Sequence, residues 1–391
     1  MDFGFTAEEQ EFKEEVHDFF NKEATSELTA ETNAYCGGAG PVFGRRLIQK
    51  MGKKRWLCAT FPEEYGGMNS SEMVWLIIRD EMAYAGGPTS LIAATMSGPT
   101  ILKYASDELK REYLPRISKG EIDMALGYTE PQAGSDLAAL EIRAEDKGDH
   151  FLLNGQKMFN THAHFVEYHW LGARTELDPT VPKHKGISLM IVDLKSPGVT
   201  IRPMDTIAGW RTNEIFYDNV EVPKKNLVGE KNRGFYYIMT ALDFERMFPV
   251  GAIRRLFEEV VNYTRETKRD GKPLSQDPII RQKLAEMATE LEITYLLYYE
   301  LGYILDKGEV PNYQSAMQKV FATETTHRVT DLALQIMGTC GQLRTDSKWA
   351  PLDGEAELHY RWSLIETVYA GTSEIMRNII ALRGLGLSAP H

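Results

Sequence analysis

The spacing of hydrophobic residues divides the chain into three stretches. From residue 6 to about residue 120, apolar side chains recur every three or four positions, which is the period of helices with one buried face. The first of these helices carries its apolar stripe at Phe12, Val16, Phe19 and Phe20. Thr6 and Glu9 precede the stripe in the pattern of a capping box, which predicts that this helix begins just after Thr6.

Three further helices are predicted in this N-terminal stretch. Their sequences are FGRRLIQKMGKKRWL, SSEMVWLIIRDEMAYAG and DELKREYLPRISKG. Before the first of them lies the glycine-dense run CGGAGPVFG, residues 36–44. Because Pro41 interrupts this run and no apolar strand precedes it, a flexible loop is the better interpretation and a dinucleotide-binding turn the weaker one.

The middle and the end of the chain show two other patterns. From about residue 121 to residue 229 the clearest elements are the strand-like runs ISLMIVDL and EIFYDNVEV, separated by turn sequences. From residue 235 onward, helical periods return in RQKLAEMATELEITYLLYYELGYIL and VTDLALQIMG. This order predicts an α+β multidomain protein with an N-terminal α-helical domain over 1–121, a middle β domain over 122–231 and a C-terminal helical domain over 232–391.

Composition narrows the class of protein. Of the 391 residues, 43% are hydrophobic and 26% charged, as in ordinary soluble globular proteins. The formal net charge of −12 argues against binding to nucleic acid or to an anionic membrane. The three cysteines form no CxxC pair, the acidic N-terminus lacks the features of a signal or transit peptide, and no apolar run is long enough to span a bilayer. These features predict a cytoplasmic protein without membrane insertion.

Few residues suggest chemistry by their spacing alone. His162, His164 and His169 are close in the chain, but they lack cysteines or acidic residues at ligand spacing, so the sequence predicts no metal site. In ALGYTEPQAGSDLAAL, residues 125–140, a strand precedes a tight turn that contains Thr129 and Ser135. Its hydroxyl and N–H groups suit an anionic or carbonyl-rich ligand, although any polar loop would fit the same pattern.

A specific resemblance emerges from eight motifs taken together. They are FPEEYGG, YTEPQAGSD, GQKMFNTHA, FYDNVEVPKKNLVGEKNRGF, LDFER, RQKLAEM, QIMGTCG and AGTSEIMRNIIA. In this order and at this spacing they resemble the acyl-CoA dehydrogenase family over essentially the whole chain. The segment PKHKGISLMIVDLKSPGVTIRP is similar to a bacterial branch of the family that acts on varied acyl-CoAs, including those with ring-bearing or branched acids.

The resemblance implies an N-terminal helical domain, a middle β-barrel and a C-terminal four-helix bundle, with FAD between them. It also implies a homotetramer or a related dimer that oxidises an acyl-CoA to the 2-enoyl-CoA and passes electrons to an electron-transferring flavoprotein. Two alternatives remain open: a catalytically silent FAD-binding subunit of a mixed oligomer, and a flavin oxidase or monooxygenase on the same fold.

The resemblance places most flavin contacts in two segments. Leu126, Tyr128 and Thr129 would contact the pyrimidine of the flavin, and Ser135, next to Gly134, would reach the pyrophosphate or the nucleotide end of the substrate. In the second segment, Phe159 would flank the flavin and Thr161 would hydrogen-bond near its N5.

The adenine half of FAD would be held by residues of the C-terminal stretch. These are Gln335, Gly338, Thr372 and Glu374, the first two coming from a neighbouring subunit. The sequence departs from the family pattern where Arg and Phe often precede Gly271, because Thr267 and Asp270 stand there. Lys268 or Arg269 could instead bind the FAD of the neighbouring subunit.

The catalytic base is the main question. Abstraction of an α-proton next to a thioester requires a positioned carboxylate. Many members of the family place a glutamate directly before the GT of the loop that opens the motif AGTSEIMRNIIA. Here that position, which we call the loop position, holds Ala370. Some members keep the base in a helix instead, directly before an arginine, and the matching residue here is Glu245, the helix position. We expect Glu245 to be the base; the alternative is that it only forms an ion pair with Arg246 or a neighbour.

Two further expectations concern this region. Pro249 lies four residues after Glu245 and cannot donate to its carbonyl, which predicts a kink. The helix over residues 89–106 contains no Asp or Glu and suits an apolar acyl group. An ordinary core helix would have the same apolar composition. The expected substrate-binding residues are Leu91, Ile92, Thr95, Ser135, Asp243, Arg246, Tyr369 and Gly371.

Overall fold

The computed structural model describes residues 4–388, except for the side chains of residues 243–245. The N-terminal helices are α1 (Ala7–Glu23), α2 (Ser26–Ala34), α3 (Phe43–Lys53), α4 (Glu72–Tyr84), α5 (Gly98–Tyr104) and α6 (Asp107–Ser118). After the strands follow α7 (Gly234–Glu245), α8 (Gly251–Glu266), α9 (Pro278–Asp306), α10 (Asn312–Met337), α11 (Glu355–Glu366) and α12 (Ser373–Ile379). The order of helices, strands and helices confirms the predicted fold class.

Within the described residues, eight strands form one sheet. They are β1 (Met124–Gly127), β2 (Arg143–Asp146), β3 (His150–Lys157), β4 (Tyr168–Arg174), β5 (Ile187–Asp193), β6 (Val199–Asp205), β7 (Arg211–Pro223) and β8 (Leu227–Val228). The strand order is β6-β7-β3-β2-β4-β5-β8, and β1 pairs in parallel with β4. Six consecutive residues of β5 are buried, so this strand is covered on both faces. A separate hairpin joins β9 (Lys268–Arg269) to β10 (Lys272–Pro273).

The chain forms two compact units that do not follow it continuously. One contains the described parts of residues 1–22, 72–86 and 246–391, and the other contains 23–71 and 87–245. In the first unit α4 packs against α8 and α9, while α10 packs against α9, α11 and α12. Nine consecutive residues of α4 are buried, including the charged side chains of Arg79, Asp80 and Glu81. The domain boundaries expected near residues 121 and 231 stay predictions.

Several local expectations can be compared with the structure. The capping box forms as predicted, because Glu9 N–H donates to Thr6 Oγ1 at 3.2 Å and Thr6 N–H donates to Glu9 Oε2 at 2.8 Å. Residues 36–42 of the glycine-dense run join α2 to α3 as a loop, and the carboxylate of Glu31 accepts the N–H groups of Phe43 and Gly44, at the start of α3, at 2.6 and 2.7 Å. The kink expected at Pro249 is a complete break, since α7 ends at Glu245 and α8 begins at Gly251.

Helix α2 was not predicted from the sequence, because its apolar residues are hardly segregated to one face. Within residues 4–388, no helix combines the length and the apolar character needed to cross a membrane.

Candidate active site

Three hydrogen bonds join strand β1 and the residues that follow it to the last residue of β3 and the segment after it. Asn160 Nδ2 donates to Leu126 O at 2.8 Å, Lys157 Nζ to Tyr128 O at 3.0 Å, and Met158 N–H to Thr129 O at 2.9 Å. The expected flavin-contacting residues on these two segments therefore lie together. Leu126 and Thr129 are partly exposed while their neighbours are buried.

A buried ion pair holds the loop that carries Ser135. Lys157 Nζ lies 2.8 Å from Glu130 Oε1, and the other oxygen of Glu130 accepts the N–H of Glu141 at 2.6 Å. Burial lowers the pKa of Lys157 to about 8. Burial alone would raise the pKa of Glu130, but the charge of Lys157 and the hydrogen bonds hold it below its usual value. Both groups are therefore charged at pH 7, and the pair ties the two ends of the loop to β3.

Phe159 occupies an unfavourable backbone conformation with an exposed ring. Its φ is +58° and 57% of the residue is exposed, although apolar residues normally avoid both. The next two residues are fixed from β7: Asn160 N–H donates to Asn213 O at 2.9 Å, and the hydroxyls of Thr161 and Thr212 lie 3.1 Å apart. The surroundings thus impose this conformation on Phe159 and place Thr161 beside it.

Gly134 and Ser135 lie at the exposed tip of their loop. A Cβ added to Gly134 would meet no atom within 4 Å, so the loop leaves open space at this point. Ser135 is exposed, and its expected contact with the cofactor or the substrate stays a prediction.

The helix expected to line the acyl site begins with a π-helical turn, Ala93–Ser97. Leu91, Ile92 and Thr95 are all buried, and Thr95 Oγ1 donates to Leu91 O at 2.9 Å. π-Helical turns are frequent at functional sites. Sequence reasoning noted the absence of acids within this helix but missed Asp123, whose carboxylate accepts Ala93 N–H at 2.8 Å. Burial raises the pKa of Asp123 to about 6.

In the other compact unit, the break after α7 meets the loop between α11 and α12. Arg246 is buried, and its Nε donates to Ala370 O at 3.4 Å. The rings of Phe248 and Tyr369 lie 5.7 Å apart, inclined by 34°. The helix break and the loop position, which are distant in sequence, are therefore in direct contact. The side chains of Asp243 and Glu245 lie outside the described residues.

A hydrogen bond from α10 holds the loop over residues 367–372. Lys319 is fully buried, and its Nζ donates to Gly371 O at 2.8 Å. Ala370 and Gly371 have φ values of +57° and +95°. Glu366, the last residue of α11, is partly buried, and desolvation raises its pKa to about 7 against the opposing effects of His359 and Lys319. A carboxyl group with a raised pKa thus lies four residues before the loop position in the chain, and the sequence alone did not indicate it.

The residues expected to hold the adenine half are accessible or lie at helix ends. Gln335 is exposed and bridges Lys283 and Asp331, at 3.0 and 2.6 Å. Gly338 ends α10 with a φ of +64°. Thr372 caps α12 by accepting Ile375 N–H at 3.2 Å, and Glu374 lies in the first turn of that helix.

Two other sequence-based expectations concern Arg269 and the histidines. Of the residues considered for the grip on a partner's FAD, Arg269 Nη2 donates to Ile336 O at 3.4 Å, next to Gln335. Burial lowers the pKa of His162 and His164 to about 4 and that of His169 to about 3, so these side chains are neutral at pH 7. Within the described part of the chain, no group of three His, Cys, Asp or Glu residues could hold a metal ion.

The sequence of this chain is similar to those of known proteins along its length. Sequence profiles of the acyl-CoA dehydrogenase N-terminal, middle and C-terminal domains match residues 6–121, 125–220 and 232–385. Acyl-CoA dehydrogenase FadE26 of Mycobacterium tuberculosis is 36% identical over 397 residues, which cover 99% of each chain. Cyclohex-1-ene-1-carbonyl-CoA dehydrogenase of Syntrophus aciditrophicus is 33% identical and covers 87% of this chain and 81% of its own.

Two solved structures are similar over the full length of both chains. One, described as the Tcur3481-Tcur3483 steroid ACAD, is 34% identical with a TM-score of 0.91. The other, the ChsE4-ChsE5 complex from Mycobacterium tuberculosis, is 35% identical with a TM-score of 0.90. On the profiles, the relatives and the motifs together, this chain belongs to the acyl-CoA dehydrogenase family of oxidoreductases.

Proposed function

We propose that this chain oxidises an acyl-CoA thioester to the 2-enoyl-CoA, with FAD as its cofactor and Glu245 as the base that removes the α-proton. The observation that carries the proposal is the hydrogen bond from Arg246 to Ala370. It brings the residue that follows Glu245 in the chain to the loop position, which many family members fill with a glutamate. A base moved from one position to the other would thus serve the same region.

The residues near β1 suit a flat aromatic cofactor. Phe159 offers an exposed ring for contact, and the hydroxyl of Thr161 beside it can donate a hydrogen bond to a ring nitrogen. These residues, with Leu126, Tyr128 and Thr129, would hold the flavin of FAD. When bound, FAD supplies the acceptor for the hydride that leaves the substrate β-carbon.

The loop supplies donors that could polarise the thioester carbonyl. The N–H groups of Ala370 and Gly371 belong to this loop and would be the donors. In a trans peptide the C=O and N–H groups point in opposite directions. The bond from Arg246 to Ala370 O therefore turns the N–H of Gly371 away from Arg246. Hydrogen bonds to the thioester oxygen would stabilise the negative charge that develops as Glu245 takes the α-proton.

Replacing Glu245 by Gln tests this assignment, because it keeps the size of the side chain but removes the basic carboxylate. We expect kcat per bound flavin to fall by roughly two to four orders of magnitude, with little change in flavin content. Glu266→Gln, at an exposed position at the end of α8, is the control and should leave the rate unchanged. If Glu245 only forms an ion pair, Glu245→Gln would lower stability and leave the rate per flavin within about threefold of wild type.

We also propose that the acyl group bears a ring. A structural relative is described as a steroid ACAD, and a curated relative is named for cyclohex-1-ene-1-carbonyl-CoA. The apolar segment that contains Leu91 and Ile92 is compatible with such a group. Values of kcat/KM for straight, branched and ring-bearing acyl-CoAs test this proposal, and a preference for straight chains would contradict it.

An electron-transferring flavoprotein is the electron acceptor that we propose. A relative in Acetobacterium woodii, 30% identical, is named as the CarC subunit of a caffeyl-CoA reductase-Etf complex. Reduction of such a flavoprotein by the enzyme and substrate under anaerobic conditions would support the assignment. Rapid oxidation of the reduced enzyme by oxygen would instead favour an oxidase.

A mixed oligomer is the second candidate, in which this chain provides FAD contacts to an active partner. Two similar structures are named after pairs of proteins, and the loop position here holds Ala370. Turnover by the purified chain with an artificial electron acceptor distinguishes the candidates, because a silent subunit would bind FAD without turnover. Light scattering on the same sample would show whether the chain forms an oligomer with itself.

A further inference from the structure

Gln318, in the middle of α10, pairs with the backbone of Phe248 in the helix break. Its Nε2 donates to Phe248 O at 2.8 Å, and its Oε1 accepts Phe248 N–H at 3.1 Å. Gln318 is fully buried. One side chain therefore satisfies both polar groups of a single backbone residue, in the way that a strand partner would.

This pairing matters because the break leaves backbone groups without helical partners. Residue 249 is proline and has no N–H, while the N–H groups of Val250 and Gly251 both donate to Asp80 Oδ1 at 2.7 Å. Together, Gln318 and Asp80 accept each N–H from residue 248 to residue 251. A buried backbone group without a partner is costly, so these bonds favour one conformation of the break.

The same turn of α10 also holds the loop over residues 367–372. Lys319, the neighbour of Gln318, donates to Gly371 O at 2.8 Å. Arg246 and Phe248 contact Ala370 and Tyr369 from the side of the break. One turn of a single helix thus determines where the segment after Glu245 lies relative to the loop over residues 367–372.

We propose that Gln318 is a positioning residue for catalysis, which sets the helix break so that the base at the helix position can act. This inference rests on the proposed role of Glu245. Displacement of a catalytic group by about 1 Å can cost about a hundredfold in rate. A purely structural role would instead lower stability and leave the rate per folded, flavin-loaded molecule unchanged.

Gln318→Met tests the proposal, because methionine has a similar length and cannot form the two hydrogen bonds. We expect kcat per bound flavin to fall about tenfold to a hundredfold, with KM and flavin content within about twofold of wild type. The control is Thr294→Val in α9, which removes a buried hydroxyl that donates to Glu290 O at 2.8 Å in its own helix. The control should lose some stability but keep its rate. A rate for Gln318→Met within threefold of wild type overturns the proposal.

Gln318→Glu provides a second measurement if the methionine variant does not fold. An ionised carboxylate accepts Phe248 N–H but repels Phe248 O, whereas the neutral acid can donate to Phe248 O as the amide does. We therefore expect the ratio of its kcat to that of wild type to rise as the pH falls, and a ratio independent of pH contradicts the proposal. If Glu245→Gln keeps its rate, the proposed base is wrong; if it loses its rate while both Gln318 variants behave as structural changes, only the positioning role is wrong.

Discussion

Arg246 donates a hydrogen bond from Nε to the carbonyl oxygen of Ala370, 124 residues further along the chain, at 3.4 Å. The first residue follows the proposed base, and the second occupies the loop position where related enzymes often carry theirs. The residue that follows the proposed base is therefore in direct contact with the loop position.

Adding a carboxylate at the loop position should partly rescue an enzyme that lacks Glu245. In the Glu245→Gln background we expect Ala370→Glu to restore at least tenfold in kcat per bound flavin, because the loop already meets the helix break through Arg246. Ala370→Gln in the same background is the control, since it adds the same bulk without a base. Equal rates for the two double variants would show that a carboxylate at the loop position cannot act as the base.

Breaking the buried ion pair between Glu130 and Lys157 should strongly destabilise the compact unit that contains the sheet. Lys157→Met leaves the carboxylate of Glu130 buried without its counter-charge, so we expect a loss of about 3–5 kcal/mol in the free energy of unfolding. The exposed pair between Lys147 and Glu145, at 2.6 Å, provides the control, and Lys147→Met should cost less than about 1 kcal/mol. Denaturant titrations measure the free energy of unfolding of both variants. Similar losses in the two would contradict the prediction that the buried pair contributes more than the exposed one.

Phe159→Gly should increase stability and weaken flavin binding. Glycine accepts a φ of +58° without the strain that phenylalanine bears, which should add about 1 kcal/mol to the free energy of unfolding of the apoprotein. The lost ring should raise the Kd for FAD by tenfold or more. Arg55→Gly, at an exposed residue with a φ of +62°, should show the gain in stability without the loss of flavin. Unchanged flavin affinity in Phe159→Gly would remove Phe159 from the cofactor site.

Glu366→Gln should stabilise the protein more at high pH than at low pH. The folded carboxyl group keeps its proton up to about pH 7, whereas in the unfolded chain it loses the proton near pH 4.3. Between these values the folded state binds more protons, so stability falls as the pH rises. We expect a gain of about 2–3 kcal/mol at pH 8 and a smaller gain at pH 5. Thermal unfolding across this range measures the effect, with the exposed Glu292→Gln as control; a gain independent of pH would contradict the assignment.

The sequence by itself determined the class of fold and the family. Hydrophobic periods and capping patterns act between residues three or four positions apart, so the capping box of Thr6 and Glu9 and most of the helices could be read from the chain. The resemblance of the motifs to the family also drew attention to Ala370, at a position where many members carry a glutamate. Where such local signals are weak, as in α2, the reading failed.

Only the tertiary structure showed what holds the helix break and the loop. Gln318 meets Phe248 across 70 residues, and Asp80 meets Val250 across 170. Neither contact leaves a periodic signal, because each depends on how separate helices pack and on which backbone groups the break leaves without partners. The raised pKa values of Asp123 and Glu366 have the same origin, since desolvation is a property of the packed environment and not of the residue type.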